Sequence, residues 1–214
     1  MGAYICTNCF VYIAFNETGT CIVCQRPAIG GLTHPVCSTK YTPDGVFSSL
    51  VYKGVVKKLI YKFKYQPNLT DLKSTLTDLF YEGLIQKEAF YKLLDQDSVL
   101  IPIPLYKSKM RKRGYNQAEI LAKGLEKRLN VQVWNALERV KNTNTQVGLT
   151  KDEREENIKG AFRLKIKDLR LKKIQVAFLI DDVVKSGATL KEAAKVLKKA
   201  GVGKVYGITL AHGQ

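Results

Sequence analysis

Residues 176–189 read Val-Ala-Phe-Leu-Ile-Asp-Asp-Val-Val-Lys-Ser-Gly-Ala-Thr. The apolar run Val176–Ile180 has the character of a buried parallel strand. It ends in two adjacent acids, Asp181 and Asp182, which a parallel sheet places in the crevice outside its carboxyl ends. The turn Lys185-Ser186-Gly187-Ala188-Thr189 offers two hydroxyls, a glycine for close backbone approach and the start of an amphipathic helix. A helix N-terminus with a nest of amides suits an anion. Acids for sugar hydroxyls beside amides for a phosphate describe a site for a ribose 5-phosphate.

This stretch resembles the 5-phosphoribosyl-1-pyrophosphate (PRPP) signature of type I phosphoribosyltransferases. The departure is Lys185, which stands where that family usually has a small hydroxyl residue. The resemblance implies that Asp181 and Asp182 hold the ribose 2′- and 3′-hydroxyls. It implies that Val183, Val184, Lys185, Ser186, Gly187, Ala188 and Thr189 complete the PRPP loop, with Lys185 to Thr189 wrapped around the 5′-phosphate.

Outward from the loop, apolar segments alternate with helical ones. Ser98–Ile103 and Val205–Leu210 read as strands, as does Val131–Leu137, and Val46–Tyr52 precedes them. Between them Val55, Val56, Leu59, Ile60 and Phe63 follow helical spacing, as do Leu72, Leu76, Leu79 and Phe80 after the break at Gln66-Pro67-Asn68. Ala118, Leu121, Ala122, Leu125 and Leu129 form another stripe, and Leu190, Ala193, Ala194, Leu197 and Ala200 a last one. Thr189-x-x-Glu192 has the pattern of a capping box and Gly201 that of a stop. Strands separated by helices predict an α/β fold with a mainly parallel sheet. Residues 141–160 are polar, without apolar period, and read as a mobile loop.

The chain of 214 residues carries 35 Lys and Arg against 19 Asp and Glu, a formal charge of +16. That excess draws anionic partners, nucleic acid or phosphate-rich small molecules, although a Lys-rich surface also serves solubility. Lys57, Lys58, Lys62 and Lys64 fall on the outer faces of their helix, which is read either as a solvated core helix or as one facing nucleic acid. No apolar run is long enough to span a membrane. The start, MGAYICTNC, lacks the features of a secretory signal, so no membrane insertion and a cytoplasmic location are expected.

All five cysteines precede residue 38. Cys6-x2-Cys9 and Cys21-x2-Cys24 have the spacing by which two thiolates meet one tetrahedral metal, and His34-x2-Cys37 repeats it with an imidazole. The leading expectation is one structural zinc ion on Cys6, Cys9, Cys21 and Cys24. The alternate uses His34 and Cys37 with one of the cysteine pairs. So short a segment would draw most of its folding free energy, about 10 kcal/mol or more, from the metal. The expected organisation is a Cys-rich zinc-binding module over 1–43 and an α/β domain over 44–214.

Two further motifs extend the resemblance. Ile101-Pro102-Ile103-Pro104-Leu105, then Arg113-Gly114-Tyr115-Asn116-Gln117, is similar to the V-P-V-P-L … R-G-[FY]-N-Q signature of the competence protein F (ComF) family. Arg139, Gln146, Leu149, Arg154, Asn157 and Gly160-Ala161-Phe162 follow that family's pattern downstream. The resemblance covers nearly the whole chain in order, although His34 stands where a cysteine is common and a further C-x2-C pair of longer members is absent. It implies a type I phosphoribosyltransferase-like fold, magnesium-bound PRPP as ligand, and a link to DNA uptake in which single-stranded DNA or DNA-uptake proteins are partners. Arg111 and Arg113 are expected to face pyrophosphate beside the turn after Ile103, with Gly114, Asn116 and Gln117 shaping that end. Arg154 would close over it and complete a catalytic set with Asp181 and Asp182. Two functions are carried forward: phosphoribosyl transfer to an unidentified acceptor, or a nucleic-acid accessory whose loop binds a phosphate or regulatory nucleotide.

Overall fold

The computed structural model describes residues 5–65, 70–94, 97–143, 150–165 and 169–213. The strands are β1 Gly45–Val51, β2 Ser98–Pro102, β3 Gln132–Val133, β4 Leu137–Arg139, β5 Phe162–Leu164, β6 Val176–Val184 and β7 Lys204–His212. The α-helices are α1 Thr7–Phe10, α2 Gly54–Tyr65, α3 Thr70–Ile85, α4 Glu88–Tyr91, α5 Lys107–Arg113, α6 Gln117–Leu129, α7 Lys151–Ile158 and α8 Ala188–Lys199.

Five strands form one parallel sheet in the order β1-β7-β6-β2-β3. The apolar residues of β6 alternate between the two faces, as the pleat requires. Phe178 and Ile180 join the core on one side with α2, α3 and α6; Ala177 and Leu179 join the other with α8. The chain leaves β2 toward β3 and leaves β6 toward β7. The neighbours β2 and β6 are therefore the point at which the winding reverses, where ligands of open α/β sheets bind.

Four expectations need correction. The strand β6 does not stop at the acids: Asp181 pairs in register with Thr209, Val183 with Ala211 and Val184 with His212. A backbone ladder is indifferent to side-chain polarity, so the acids stand within the strand. Val131–Leu137 divides, β3 staying in the main sheet while β4 pairs antiparallel with β5 as a separate ribbon. Residues 151–158 of the polar segment form helix α7, opened by a capping box between Thr150 and Glu153 and anchored by the buried Ile158. One apolar anchor in eight residues leaves no period to detect. Finally, α8 is capped by Gly187 in the left-handed region (φ 72°), not by Thr189; Glu192 instead accepts from the Gly160 amide at 2.9 Å. Gln66-Pro67-Asn68, Gln146 and Leu149 lie outside the described residues.

The N-terminal segment lies against β1. Phe15 bridges Leu50 in antiparallel sense, Asn16 N–H donates to Ser49 O at 2.7 Å, and Val51 N–H donates to Ala14 O at 2.9 Å. Among the described residues no helix is long and apolar enough to cross a membrane.

Candidate functional site

The loop Lys185–Thr189 rises directly from β6. Ser186, Gly187 and Ala188 are buried and Lys185 is exposed. The first turn of α8 borders a cavity of about 210 Å³. Tyr52, Lys64, Asp181 and the segment Val183–Leu190 line it. The floor of the loop is unusual. A Cβ on Gly187 would lie 2.5 Å from Ile22 Cγ1 and 3.2 Å from Ile22 O, so the Cys21–Cys24 segment is packed against the loop's back.

Asp181 lines this cavity, and Asp182 is buried next to it in the strand. Asp181 Oδ1 accepts from the Asp182 amide at 2.8 Å. Burial, then the Asp182 carboxylate, push Asp181 up to about 7, while the nearby Lys64 opposes the shift. Asp182 is buried and ion-paired with Lys64, Nζ to Oδ2 2.6 Å. Burial disfavours the Lys64 cation, but Asp182 and Asp181 outweigh it and hold the amine above its ordinary value. Sequence reasoning missed Lys64, which it placed on the outer face of α2. The signal was present: Val56, Ile60 and Lys64 recur every four residues, so Lys64 continues a buried stripe.

A second group of cations lies on the β2 side. Arg113 Nη1 donates to the Gln117 side chain. Asn116 caps α6 by accepting from Ala118 N–H at 3.1 Å and donates Nδ2–H to Ile103 O at 3.0 Å. Asn116 thus fixes the helix start, and Gln117 fixes Arg113. Lys109 donates to Thr143 O at 2.9 Å and Arg139 to Thr143 Oγ1. Burial, then Arg139 and Arg113, lower Lys109. Burial lowers Arg139 too, and Asp181 opposes it; the buried Nε of Arg139 has no hydrogen-bond partner among the described residues. Lys109, Arg113 and Arg139 are therefore neighbouring cations, of which Arg139 is within electrostatic reach of Asp181. Arg111 is exposed on α5, and Gly114 (φ 81°) ends that helix.

Arg154 stands on helix α7. Helix α7 docks on α8 with a Lys191–Glu155 ion pair. Arg154 then lines a cleft with Asn16, Thr20, Lys185, Ser186 and His212. It is thus placed beside the Lys185–Ser186 end of the loop after β6.

In the N-terminal segment, the ligating atoms of Cys21, Cys24, His34 and Cys37 all lie within 4.8 Å of one another. They form the one such group of three or more among the described residues. Cys24 Sγ is 3.3 Å from His34 Nδ1, and His34 Nε2 is 3.0 Å from Pro27 O. The carbonyl accepts from Nε2–H, leaving Nδ1 for a metal. Burial would raise the Cys21 thiol, but amides of Cys24, His34 and Val23 lower it to about 6. Burial and the Cys24 and Cys21 thiols push Cys37 up to about 11, a crowding that a cation relieves. A tetrahedral zinc ion would set sulfurs roughly 3.7 Å apart, so this donor set fits it with slight contraction. The leading four-cysteine expectation is thus not the set brought together. Cys6 and Cys9 lie on and before α1, outside the group, and the alternate with His34 and Cys37 is the arrangement observed. The turn Pro35–Cys37 carries the fourth ligand back to the first pair.

Comparison with known proteins agrees with this architecture. A family profile described as "Phosphoribosyl transferase domain" matches residues 110–213. Competence protein F of Haemophilus influenzae is 37% identical over 69% of this chain, and the match spans 63% of that protein. DNA utilization protein YhgH of Escherichia coli O157:H7 is 27% identical, over 94% of this chain and 93% of its own. Competence protein ComFC of Bacillus subtilis is 27% identical, over 92% of this chain and 79% of its own.

Proposed function

The chain belongs to the competence protein F (ComF/ComFC) family, with its phosphoribosyltransferase-like fold, and on that footing we propose that it binds magnesium-PRPP and transfers phosphoribose to an acceptor. The observation that carries this reading is the pair Asp181–Asp182 beside the Ser186–Thr189 loop. A bare phosphate site has no use for two acids, whereas a ribose presents two hydroxyls to them.

The 5′-phosphate would occupy the cavity over the first turn of α8, held by amides and by Ser186 and Thr189. Asp182 and Asp181 would accept from the ribose hydroxyls, and the magnesium that accompanies the substrate would offset the charge of its pyrophosphate. That end of the ligand would face Lys109, Arg113 and Arg139. Transfer at C1 proceeds with oxocarbenium character as the C1–oxygen bond to pyrophosphate breaks and the bond to the acceptor forms. Positioning and charge stabilisation therefore suffice, and no protein nucleophile is needed. Arg154 belongs to the phosphate-loop side of the cleft, where it would help exclude water.

The test is a screen for pyrophosphate release from PRPP against bases, nucleosides, amines and DNA, with calorimetry of PRPP binding. Asp181→Asn with Asp182→Asn is expected to abolish PRPP binding and leave DNA retention intact. Unchanged PRPP affinity in that variant would overturn the site. A second reading, a nucleic-acid accessory using the loop for a phosphate or nucleotide, is favoured by the +16 charge. It predicts binding without pyrophosphate release.

A further inference from the structure

The five cysteines and two histidines of the chain divide unequally. Cys21, Cys24, His34 and Cys37 converge, which leaves Cys6, Cys9 and His212. His212 belongs to β7, where it lines the cleft beside Ser186. Among the described residues no aspartate or glutamate completes a set of three with Cys6 and Cys9 either.

The two thiols nevertheless meet. Cys6 is extended (φ −71°, ψ 158°) just before α1, and the amides of Cys9 and Phe10 donate to Cys6 O at 2.9 and 3.0 Å. That turn brings the Cys9 thiol onto Cys6 Sγ, to which it donates a hydrogen bond. Ile5 and Ile13, one on either side, pack on the core and pin the turn. Cys6 is exposed and Cys9 half-buried. The hydrogen bond from the Cys9 side chain, then the Cys9 and Asn8 amides, hold the Cys6 thiol below its ordinary value. The same side-chain bond raises Cys9, and the cation of Lys58 on α2 opposes the rise.

We propose that Cys6 and Cys9 are a redox-active dithiol, converted to an intrachain disulfide by exchange with a low-molecular-weight disulfide. Two sulfurs fill only half of a tetrahedral metal shell. Two thiols in contact, the outer one the more acidic, suit exchange instead. The Cys6 thiolate attacks one sulfur of the small disulfide, whose S–S bond breaks and releases one thiol. Cys9 gives its proton to solvent and attacks Cys6 Sγ in the mixed disulfide, releasing the second thiol. The pair thus loses two electrons and two protons, and the small disulfide gains them. This exchange does not depend on what the phosphate loop binds.

The test exposes the reduced full chain, purified without chelator, to glutathione disulfide, followed by acid quenching and peptide mass mapping. The parent is expected to gain a Cys6–Cys9 bridge that dithiothreitol reverses. Cys9→Ser should stall with one glutathione on Cys6, because the resolving thiol is gone. Cys6→Ser should take glutathione on Cys9 about threefold or more slowly, its thiol being the less ionised. Zinc content of both variants should equal that of the parent. No bridge in the parent, no adduct on Cys6 in Cys9→Ser, or zinc lost from either variant would each overturn the proposal.

Discussion

Ile22, between Cys21 and Cys24, is packed against Gly187 of the Lys185–Thr189 loop, leaving only 2.5 Å for a Cβ at that glycine. The loop's shape is therefore set partly from the N-terminal segment. Gly187 also has φ 72°, where a side chain is strained. Gly187→Ala is expected to cost about 1–3 kcal/mol of stability and to weaken PRPP binding at least tenfold. Thermal melting with calorimetry checks both. An alanine variant with parental affinity would show that the loop is shaped without Ile22.

Metal content distinguishes the two candidate ligand sets. Elemental analysis should find about one zinc per chain in protein purified without chelator. Cys24→Ser or Cys37→Ser should lose it, and Cys6→Ser with Cys9→Ser should keep it. The reverse pattern would restore the four-cysteine set. Chelation should also weaken PRPP binding, through release of Ile22.

Lys64→Gln removes the partner of a buried carboxylate. Leaving Asp182 unpaired should cost on the order of 2–4 kcal/mol, read as a lowered denaturation midpoint. Asp182→Asn added to Lys64→Gln should recover part of that loss. No recovery would mean that Lys64 stabilises the fold by other contacts.

Asp181 gives stability a pH dependence of known sign. Its folded-state value is about 7 against 3.8 for the ordinary group. Between those values the folded chain keeps a proton that the unfolded chain has released, so this group lowers stability as pH rises from about 4 to about 7. Asp181→Asn removes that loss. The variant should melt a few degrees above the parent at pH near 8 and show no such advantage at pH near 4. A gap constant across that range would assign the effect to something other than this proton.

The parts of the fold that were legible from sequence are those decided by local apolar period. Strands β2 and β7 and helices α2, α3, α6 and α8 stand close to where their stripes place them. The site was legible only where one continuous stretch holds it, as in Asp181 to Thr189. Lys109 and Arg113 share helix α5, but Arg139 of β4 joins them only after folding, and spacing along the chain carries no record of that meeting. The same holds for Cys37, which reaches Cys21 and Cys24 through a short turn. Lys64 was readable but overlooked, because lysine in an amphipathic helix is normally assigned to water.

The contacts of Phe15 and Asn16 along β1 have a further consequence. Strand β1 is an outer member of the sheet, and six of its seven residues are buried. Bare strand edges invite pairing with other chains. The N-terminal segment therefore acts as a guard against self-association. A truncation beginning at residue 44 would leave a sticky border, expected to elute as aggregates rather than as a free-standing α/β domain. The two portions of this chain are thus expected to hold together in solution as one unit.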